Sequence, residues 1–277
     1  MEREKRPLII EQDLAYSRIK TSEVAVAYAK VFSGWPWFEV SRGDYCGKFY
    51  GKENLPGTPC PCGQETLTEA YPIEETTKYI SGEILEPRAT KAVVITSDFK
   101  LSGFGWGYEL DGKEYIETKY SSEDARKLVS SLIEDKKYFY ISEVGILPEF
   151  QGLGLGFRIT NTLVYEGTKN MLPVLLRTNN ESPMVKIAQK LGMKMVQGAQ
   201  IGSPDPENPD RIVFIKSKID IPSFSEYSSW FRTPNYFDDV RTPEEMKEKW
   251  YKYIENSYYE KYGQEKIETL RNPEDEE

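Results

Sequence analysis

The sequence contains no histidine among its 277 residues. This absence excludes a Ser-His-Asp triad, a Cys-His pair and a histidine-ligated metal as the basis of an activity. Proton transfer would therefore fall to carboxylates, tyrosines, lysines, cysteines or water. The chain has only three cysteines, an odd number that gives no disulfide framework, so we expect a reducing, cytoplasmic location.

Long hydrophobic runs are also missing. No stretch of about 18 apolar residues occurs, so no membrane-spanning helix is predicted. The opening stretch MEREKRPLIIEQD is charged and lacks the apolar core of a secretory signal, so none is expected. The net charge is −9, and most of the acidity lies after residue 221, which disfavours a general nucleic-acid binder with a basic face.

Helix and strand patterns alternate between residues 21 and 219. The periodicity predicts helices over 22–32, near 73–82, over 121–135, from about 155 to 169 and over 182–193. It predicts strands over 91–98, 101–110, 137–147, 173–178 and 211–219, with turns near Asp98 and at Asp111–Gly112. This order of elements indicates the α/β fold class.

Three glycines stand within five positions, Gly152, Gly154 and Gly156, between a predicted strand and a predicted helix. The start of a helix leaves backbone N–H groups unpaired, and glycines let an anion approach that backbone closely. Neither the P-loop spacing nor the G-x-G-x-x-G spacing of dinucleotide-binding proteins occurs here. The stretch therefore predicts a phosphate-binding turn of another kind.

The stretch ILPEFQGLGLG, residues 146–156, resembles the V-x-P-x-x-[QR]-x-x-G-x-[GA] signature of the GNAT superfamily of N-acetyltransferases, with Ile146 in place of Val. The stretch LLRTNNESPMVKIAQKLGMKMV, residues 175–196, resembles the strand and helix that follow in that family. The resemblance covers roughly residues 12–220. It implies a mixed central sheet flanked by helices, forming a GNAT-like acyl-CoA-binding domain over residues 1–221.

The resemblance also implies acetyl-CoA as cosubstrate, with loop amides holding its pyrophosphate. The residues implied in this binding are Val144, Ile146, Gln151, Gly152, Leu153, Gly154, Leu155, Gly156, Phe157 and Asn179. For Asn179 an alternative stays open, because it could instead cap the helix that begins near Pro183.

Glu143 is the candidate general base. Simple alternation along the strand places it on one face with Phe139 and Ile141, where burial would raise its pKa. Many relatives have a Glu here and use it, often through water; the alternative is a Glu at a solvent edge or in a salt bridge. The family's usual tyrosine acid is replaced by Ala188, so Tyr140 is the expected substitute, with Tyr138 or water as alternatives.

The three cysteines, Cys46, Cys60 and Cys62, share the Gly/Pro-rich loop 41–65. Thiolates in one loop can hold structural zinc, here with Asp44, Glu65 or water as the fourth ligand. The competing interpretation is that these cysteines have no special role.

The expected function is an acetyl-CoA-dependent N-acetyltransferase that moves an acetyl group to a primary amine by direct attack. The alternative is a catalytically silent acyl-CoA-binding or interaction protein with the same fold. The acceptor stays open between a small amine, a peptide N-terminus and a protein lysine. An aromatic-rich, helical C-terminal extension over 222–277 is expected to lie against its own domain near the acceptor site, or against a second subunit in a homodimer.

Overall fold

The computed structural model of the chain describes residues 9–13, 19–96, 99–196 and 211–216. The predicted extension over 222–277 and the predicted turn near Asp98 lie outside the described residues. Among the helices within the described ranges, none has the length and apolar character needed to cross a membrane.

Ten strands and six helices make up this part of the chain. The strands are β1 (Ile9–Asp13), β2 (Ser41–Arg42), β3 (Phe49–Tyr50), β4 (Thr68–Glu69), β5 (Thr90–Thr96), β6 (Leu101–Asp111), β7 (Lys137–Ile146), β8 (Val174–Asn179), β9 (Lys194–Met195) and β10 (Arg211–Lys216). The helices are α1 (Thr21–Phe32), α2 (Ile73–Glu83), α3 (Gly112–Lys119), α4 (Glu123–Ser130), α5 (Leu155–Lys169) and α6 (Met184–Lys190).

The main sheet has seven strands in the order β1-β5-β6-β7-β8-β10-β9. Strands β7 and β8 run parallel, and every other neighbouring pair in this sheet is antiparallel. A parallel pair needs a long crossover, and α5 lies in the connection between β7 and β8. The predicted α/β class, with a mixed central sheet and flanking helices, is confirmed.

Alternation along the strands divides the core between the two faces of the main sheet. On one face, Val94, Phe139 and Leu176 pack with residues of α5 and α6. On the other face, Val93 and Trp106 pack with α1 and α2. Further along that second face, strand residues pack with α3 and α4; they are Tyr108, Leu110, Tyr138, Tyr140, Leu175 and Val213.

Helix α5 approaches the sheet closely because β6 carries glycines opposite it. A β-carbon at Gly105 would lie 2.5 Å from Ile159 Cγ2, and one at Gly103 would lie 2.5 Å from Ile146 Cδ1. A β-carbon would also lie 3.0 Å from the Glu143 carbonyl oxygen at Gly105 and 3.1 Å from the Gly145 carbonyl oxygen at Gly103, so the isoleucine side chains and the adjacent backbone would both have to move. The glycine pattern of β6 thus fixes how deeply the start of α5 sits against β7.

Several local predictions differ from the structure. The turn expected at Asp111–Gly112 is wrong, because β6 ends at Asp111 and α3 begins directly at Gly112. Glycine is needed there for close packing, since a β-carbon would lie 2.3 Å from the carbonyl oxygen of Glu134. The loop expected over 41–65 contains β2 and β3, which form a three-stranded antiparallel sheet with β4 in the order β3-β2-β4. Strands β1 and β9 carried no clear sequence pattern.

Candidate active site

The glycine turn joins β7 to α5 and is open to its surroundings. Gly152 and Gly154 have φ angles of +76° and +79°, which strain any residue with a β-carbon. A β-carbon built at either position meets no atom within 4 Å. Within the described residues, the backbone N–H groups of 152–156 donate no hydrogen bond. Unpaired N–H groups at the start of a helix are the usual site for a phosphate.

The side chains of this turn have varied surroundings. Gln151 donates from Nε2 to the carbonyl oxygen of Ile146 at 3.2 Å, which fastens the turn to the end of β7. Leu153 is exposed, whereas the side chain of Leu155, the first residue of α5, is buried in the core. The ammonium nitrogen of Lys190 lies over the ring of Phe157, 5.1 Å from the ring centroid. Residues 151–157 themselves have no charged side chain, so the turn would bind an anion through its backbone amides.

Strands β7 and β8 separate beside this turn. Their parallel pairing ends at Ile141 and Leu176, although β7 continues to Ile146 and β8 to Asn179. Beyond that point the edge of β7 that carries Val144 and Ile146 has no partner strand among the described residues. The opposite edge of β8 is paired with β10 along its whole length. The gap between the two strands consequently exposes unpaired backbone groups next to the start of α5.

Asn179 lies at the end of β8, on the far side of this gap. Its side chain is nearly buried, and its Oδ1 accepts a hydrogen bond from the Glu181 amide at 2.8 Å. Its carbonyl accepts from the Ser182 amide at 3.1 Å. These bonds hold the turn before α6. This role is similar to the helix-capping role that the sequence left open as an alternative for Asn179.

A β-bulge in β7 changes which residues face the side of the sheet that α1 and α2 cover. Glu143 pairs with Trp106 and Ile141 with Gly107, so Ser142 has no partner of its own on β6. The extra residue shifts the alternation by one position. The prediction that Glu143 shares a face with Phe139 and Ile141 is therefore wrong. Tyr140, Ser142 and Glu143 instead line one cavity on the opposite face.

The Glu143 carboxylate is held by two tyrosines in that cavity. Its Oε1 accepts hydrogen bonds from the hydroxyls of Tyr28 on α1, at 3.1 Å, and Tyr79 on α2, at 3.2 Å. Desolvation by burial, together with the nearby charge of Glu83, raises the pKa of Glu143 to about 8. The Lys119 ammonium and the two hydroxyls oppose this rise. The expected raised pKa is thus present, although on the other face of the strand.

Glu83 is a second carboxylate, hydrogen-bonded to the cavity-lining residue Ser142, and no sequence pattern singles it out. Its Oε2 accepts hydrogen bonds from Trp106 Nε1 and Ser142 Oγ, both at 2.7 Å. Its Oε1 accepts from the Tyr108 hydroxyl at 3.1 Å. Three donors therefore occupy the Glu83 carboxylate, whereas the Glu143 carboxylate lines the cavity.

Tyr140 lies beside Glu143 on the same cavity wall. Its ring is nearly buried, packs edge-on against Tyr108 and Tyr115, and has the Lys119 ammonium 5.2 Å from its centroid. Ala188, at the position of the family's usual tyrosine, is completely buried in the core with α5. No hydroxyl comes from that position; among the described residues, the hydroxyls bonded to Glu143 are those of Tyr28 on α1 and Tyr79 on α2, and Tyr140 on β7 lines the same cavity.

The cavity has a volume of about 470 Å³ and mixed charge. Besides the residues already named, its lining side chains are aromatic, acidic and basic; they include Phe32, Trp37, Glu39, Arg42, Phe49, Tyr71, Glu75, Arg177 and Arg211. Glu39 accepts a hydrogen bond from the Tyr71 hydroxyl and lies 3.4 Å from Arg211. Arg42 pairs with Glu75 at 2.6 Å. Such a cavity suits a polar, partly charged ligand.

The three cysteines lie close together beside β2 and β3. The sulfur atoms of Cys46, Cys60 and Cys62 and a carboxylate oxygen of Glu65 all lie within 4.8 Å of one another. Of the fourth ligands considered from the sequence, the structure brings in Glu65. Asp44 instead pairs with Arg42 at 2.8 Å.

Comparisons with known proteins give matches in fold only. No protein-family profile matches the chain, and no curated protein is significantly similar in sequence. A mosquito arylalkylamine N-acetyltransferase like 5b is similar at 14% identity and a TM-score of 0.46, over 76% of this chain and 99% of that chain. A GNAT-family acetyltransferase from Staphylococcus aureus Mu50 is similar at 9% identity and a TM-score of 0.44, over 76% and 100% of the two chains.

The ribosomal-protein-S18-alanine N-acetyltransferase from Escherichia coli is similar at 10% identity and a TM-score of 0.38, over 75% of this chain and 92% of that chain. The names of these proteins agree with the resemblance seen in residues 146–156. Identities and TM-scores this low carry no functional argument. The function proposed below is therefore argued from the geometry of the site.

Proposed function

We propose that the chain is an acetyl-CoA-dependent N-acetyltransferase that acetylates a primary amine by direct attack. The observation that supports this most is the position of Glu143. It carries a pKa of about 8, lies in a cavity, and stands at the place where β7 and β8 separate beside the glycine turn. A base with a pKa near the working pH is suited to proton transfer.

The glycine turn fits the binding of acetyl-CoA. The unpaired N–H groups of residues 152–156 are the donors that would hold its pyrophosphate, and Gln151 keeps the turn in place. Val144 and the Ile146 amide lie on the edge of β7 that has no partner strand and would face the rest of the cosubstrate, whereas the Ile146 carbonyl is held by Gln151. When bound, acetyl-CoA supplies the thioester carbonyl that the amine attacks.

Glu143 would remove a proton from the acceptor amine as its nitrogen bonds to the acetyl carbon. The hydroxyls of Tyr28 and Tyr79 fix the orientation of the carboxylate, because both donate to the same oxygen. The carbon–sulfur bond then breaks, and the leaving thiolate takes a proton. Tyr140 is the proposed donor because it lies on the same cavity wall as Glu143. One proton passes from the amine to Glu143 and one from Tyr140 to the thiolate, and return of a proton from Glu143 to Tyr140 through solvent restores both groups, so the transfer is balanced.

The catalytically silent alternative is favoured by Ala188, which removes the family's usual acid. The two functions are separated by mixing the protein with acetyl-CoA and a panel of small amines, peptide N-termini and lysine peptides, and measuring the release of free thiol. We expect thiol release that depends on both protein and acceptor. Acetyl-CoA binding without thiol release on any acceptor would favour the silent protein. A cytoplasmic location, a homodimer and the role of residues 222–277 stay predictions.

A further inference from the structure

The cysteine cluster has the dimensions of a tetrahedral metal site. Zinc binds thiolate at about 2.3 Å and carboxylate at about 2.1 Å, so tetrahedral geometry places two sulfurs about 3.8 Å apart and a sulfur about 3.6 Å from an oxygen. The sulfurs of Cys46 and Cys60 are 3.7 Å apart. The sulfur of Cys62 is 3.6 Å from Glu65 Oε1. These two distances match the edges of such a tetrahedron, and all four ligand atoms lie within 4.8 Å of one another.

The backbone around the cluster turns the ligands inward. The Gly63 amide donates to the Cys60 carbonyl, and the Cys60 amide donates to the Glu65 carbonyl, both at 2.8 Å. The Cys62 amide points at the Cys60 sulfur at 3.5 Å. These bonds close a tight turn that directs the side chains of Cys60 and Cys62 to the same point. Convergence of this kind is expected of a metal turn and not of unrelated loop cysteines.

The surroundings of the ligands are also specific. Glu65 accepts hydrogen bonds from the amides of Tyr45, at 2.6 Å, and Cys46, at 3.0 Å, which orient its carboxylate. The Tyr50 hydroxyl lies 3.5 Å from the Cys46 sulfur and 3.4 Å from the Cys60 sulfur. Gly43 leaves room for the cluster, because a β-carbon there would lie 2.6 Å from the Cys46 sulfur.

The segment 41–69 that carries the cluster has almost no apolar core. Its buried apolar side chains are Cys60 and Leu67 alone, while Tyr45, Phe49 and Leu55 are exposed. A segment this small and this poor in buried apolar area usually needs a disulfide or a metal to hold one conformation. A cross-link between Cys46 and the 60–65 turn would join the two halves of the segment.

We propose that Cys46, Cys60, Cys62 and Glu65 bind one structural Zn²⁺ through three sulfurs and one carboxylate oxygen. Each thiol gives up its proton to solvent on binding. Zinc is the metal favoured by three thiolates and one oxygen in closed tetrahedral geometry. The fourth ligand in this proposal is Glu65, and not Asp44 or water.

The proposed zinc also supports one wall of the cavity. Strands β2 and β3 contribute Arg42 and Phe49 to the lining, and Arg42 reaches α2 through Glu75. Loss of the metal would therefore disturb the acceptor side and leave the glycine turn unchanged. This second step rests on the proposed function, whereas the presence of zinc does not.

The first test is elemental analysis of the full chain purified without added metal or chelator. We expect about one zinc per chain and protection of all three thiols from a thiol reagent until a chelator is added. Titration of the metal-free protein with Co²⁺ should give the intense near-ultraviolet charge-transfer band and visible bands of tetrahedral thiolate coordination. A chain that contains no zinc and takes up neither Zn²⁺ nor Co²⁺, or one with a Cys46–Cys60 disulfide, would overturn the proposal.

Variants identify the ligands. Glu65→Gln should weaken zinc binding about 10-fold or more, and Cys60→Ser should abolish it, whereas the neighbouring control Asp44→Asn should keep one zinc per chain. If Asp44→Asn loses the metal and Glu65→Gln keeps it, the assignment of the fourth ligand is wrong. Acetyl-CoA binding, measured by the shift in melting temperature, should survive in Glu65→Gln. A failure of acetyl-CoA binding in the wild type would contradict the proposed function and leave the zinc measurement standing.

Discussion

The two sides of the cleft at β7 are built from different kinds of groups. The side proposed for the cosubstrate consists of the glycine turn, α5 and an apolar core, and it presents backbone amides. The side proposed for the acceptor is formed by α1, α2, the segment 41–69 and the facing residues of β7, β8 and β10, and it presents carboxylates, tyrosines and arginines. Backbone groups tolerate most side-chain changes and side-chain groups do not. Single substitutions on the cosubstrate side should therefore act by changing the local backbone. Substitutions on the acceptor side should act by removing a charged or hydrogen-bonding group.

The largest effect is expected on the acceptor side, at Glu143. Glu143→Gln keeps the size of the side chain and removes the base, so kcat should fall about 10²–10⁴-fold, the range typical of a lost general base. The affinity for acetyl-CoA should change little. The control is Glu117→Gln on α3, which removes an exposed carboxylate outside the cavity and should leave kcat unchanged. Full activity of Glu143→Gln across pH 6–9 would remove this residue from the mechanism.

The next effect is expected on the cosubstrate side, at Gly154. Its φ of +79° means that Gly154→Ala costs about 1 kcal/mol or more in the turn and alters the amides behind it. We expect loss of most of the increase in melting temperature that saturating acetyl-CoA gives the wild type. Gly82→Ala is the matched control. Gly82 lies in α2 with open space around it, so alanine should stabilise the helix by up to about 1 kcal/mol without altering binding.

The stability of the protein should depend on pH through the carboxyl group of Glu143. The pKa of Glu143 is about 8 when folded and close to 4.5 in the unfolded chain. A raised pKa means that the folded state retains the proton longer, so the stability from this group is complete below about pH 4.5 and is lost as pH rises to about 8. The melting temperature of Glu143→Gln minus that of wild type should therefore increase between pH 5 and pH 8. An unchanged difference would show that Glu143 has an ordinary pKa.

The smallest effect is expected at Tyr28. Its hydroxyl donates to Glu143 and lowers the pKa of that carboxyl, so Tyr28→Phe should move the rising limb of the rate profile to higher pH and reduce the rate a few-fold at pH 7. The exposed Tyr45 gives a control, because Tyr45→Phe changes no donor in the cavity. A rate profile identical to that of wild type would mean that the Tyr28 hydrogen bond does not tune the base.

Features that depend on local spacing were predictable from the sequence. The glycine turn followed by a helix was expected from about 155 to 169, and α5 spans Leu155–Lys169, because glycine placement and helical periodicity are both local signals. The start of α4 was equally local, since the Ser122 side chain accepts from the Ala125 amide at 3.2 Å. A one-residue change of alternation leaves no such signal, so the bulge at Ser142 and the true face of Glu143 were missed.

Groups brought together across long stretches of chain were also missed. Tyr28 and Glu143 are separated by 115 positions and Tyr79 and Glu143 by 64, so nothing in the local pattern links them. Among 19 tyrosines, no spacing distinguishes these two. The cysteines were visible as a group, but three possible fourth ligands stayed open until the fold brought Glu65 beside Cys62.

The bulge at Ser142 has a consequence for changes of length in β7. The strand has two phases of alternation: before the bulge even-numbered side chains face α3, and after it they face α5. Deleting Ser142 would restore a single phase and leave the Glu143 carboxylate on the cavity side, directly after Ile141, but it would remove the hydroxyl that donates to Glu83. The unpaired residue thus lets two consecutive side chains reach the same side of the sheet, where Ser142 donates to Glu83 and Glu143 lines the cavity.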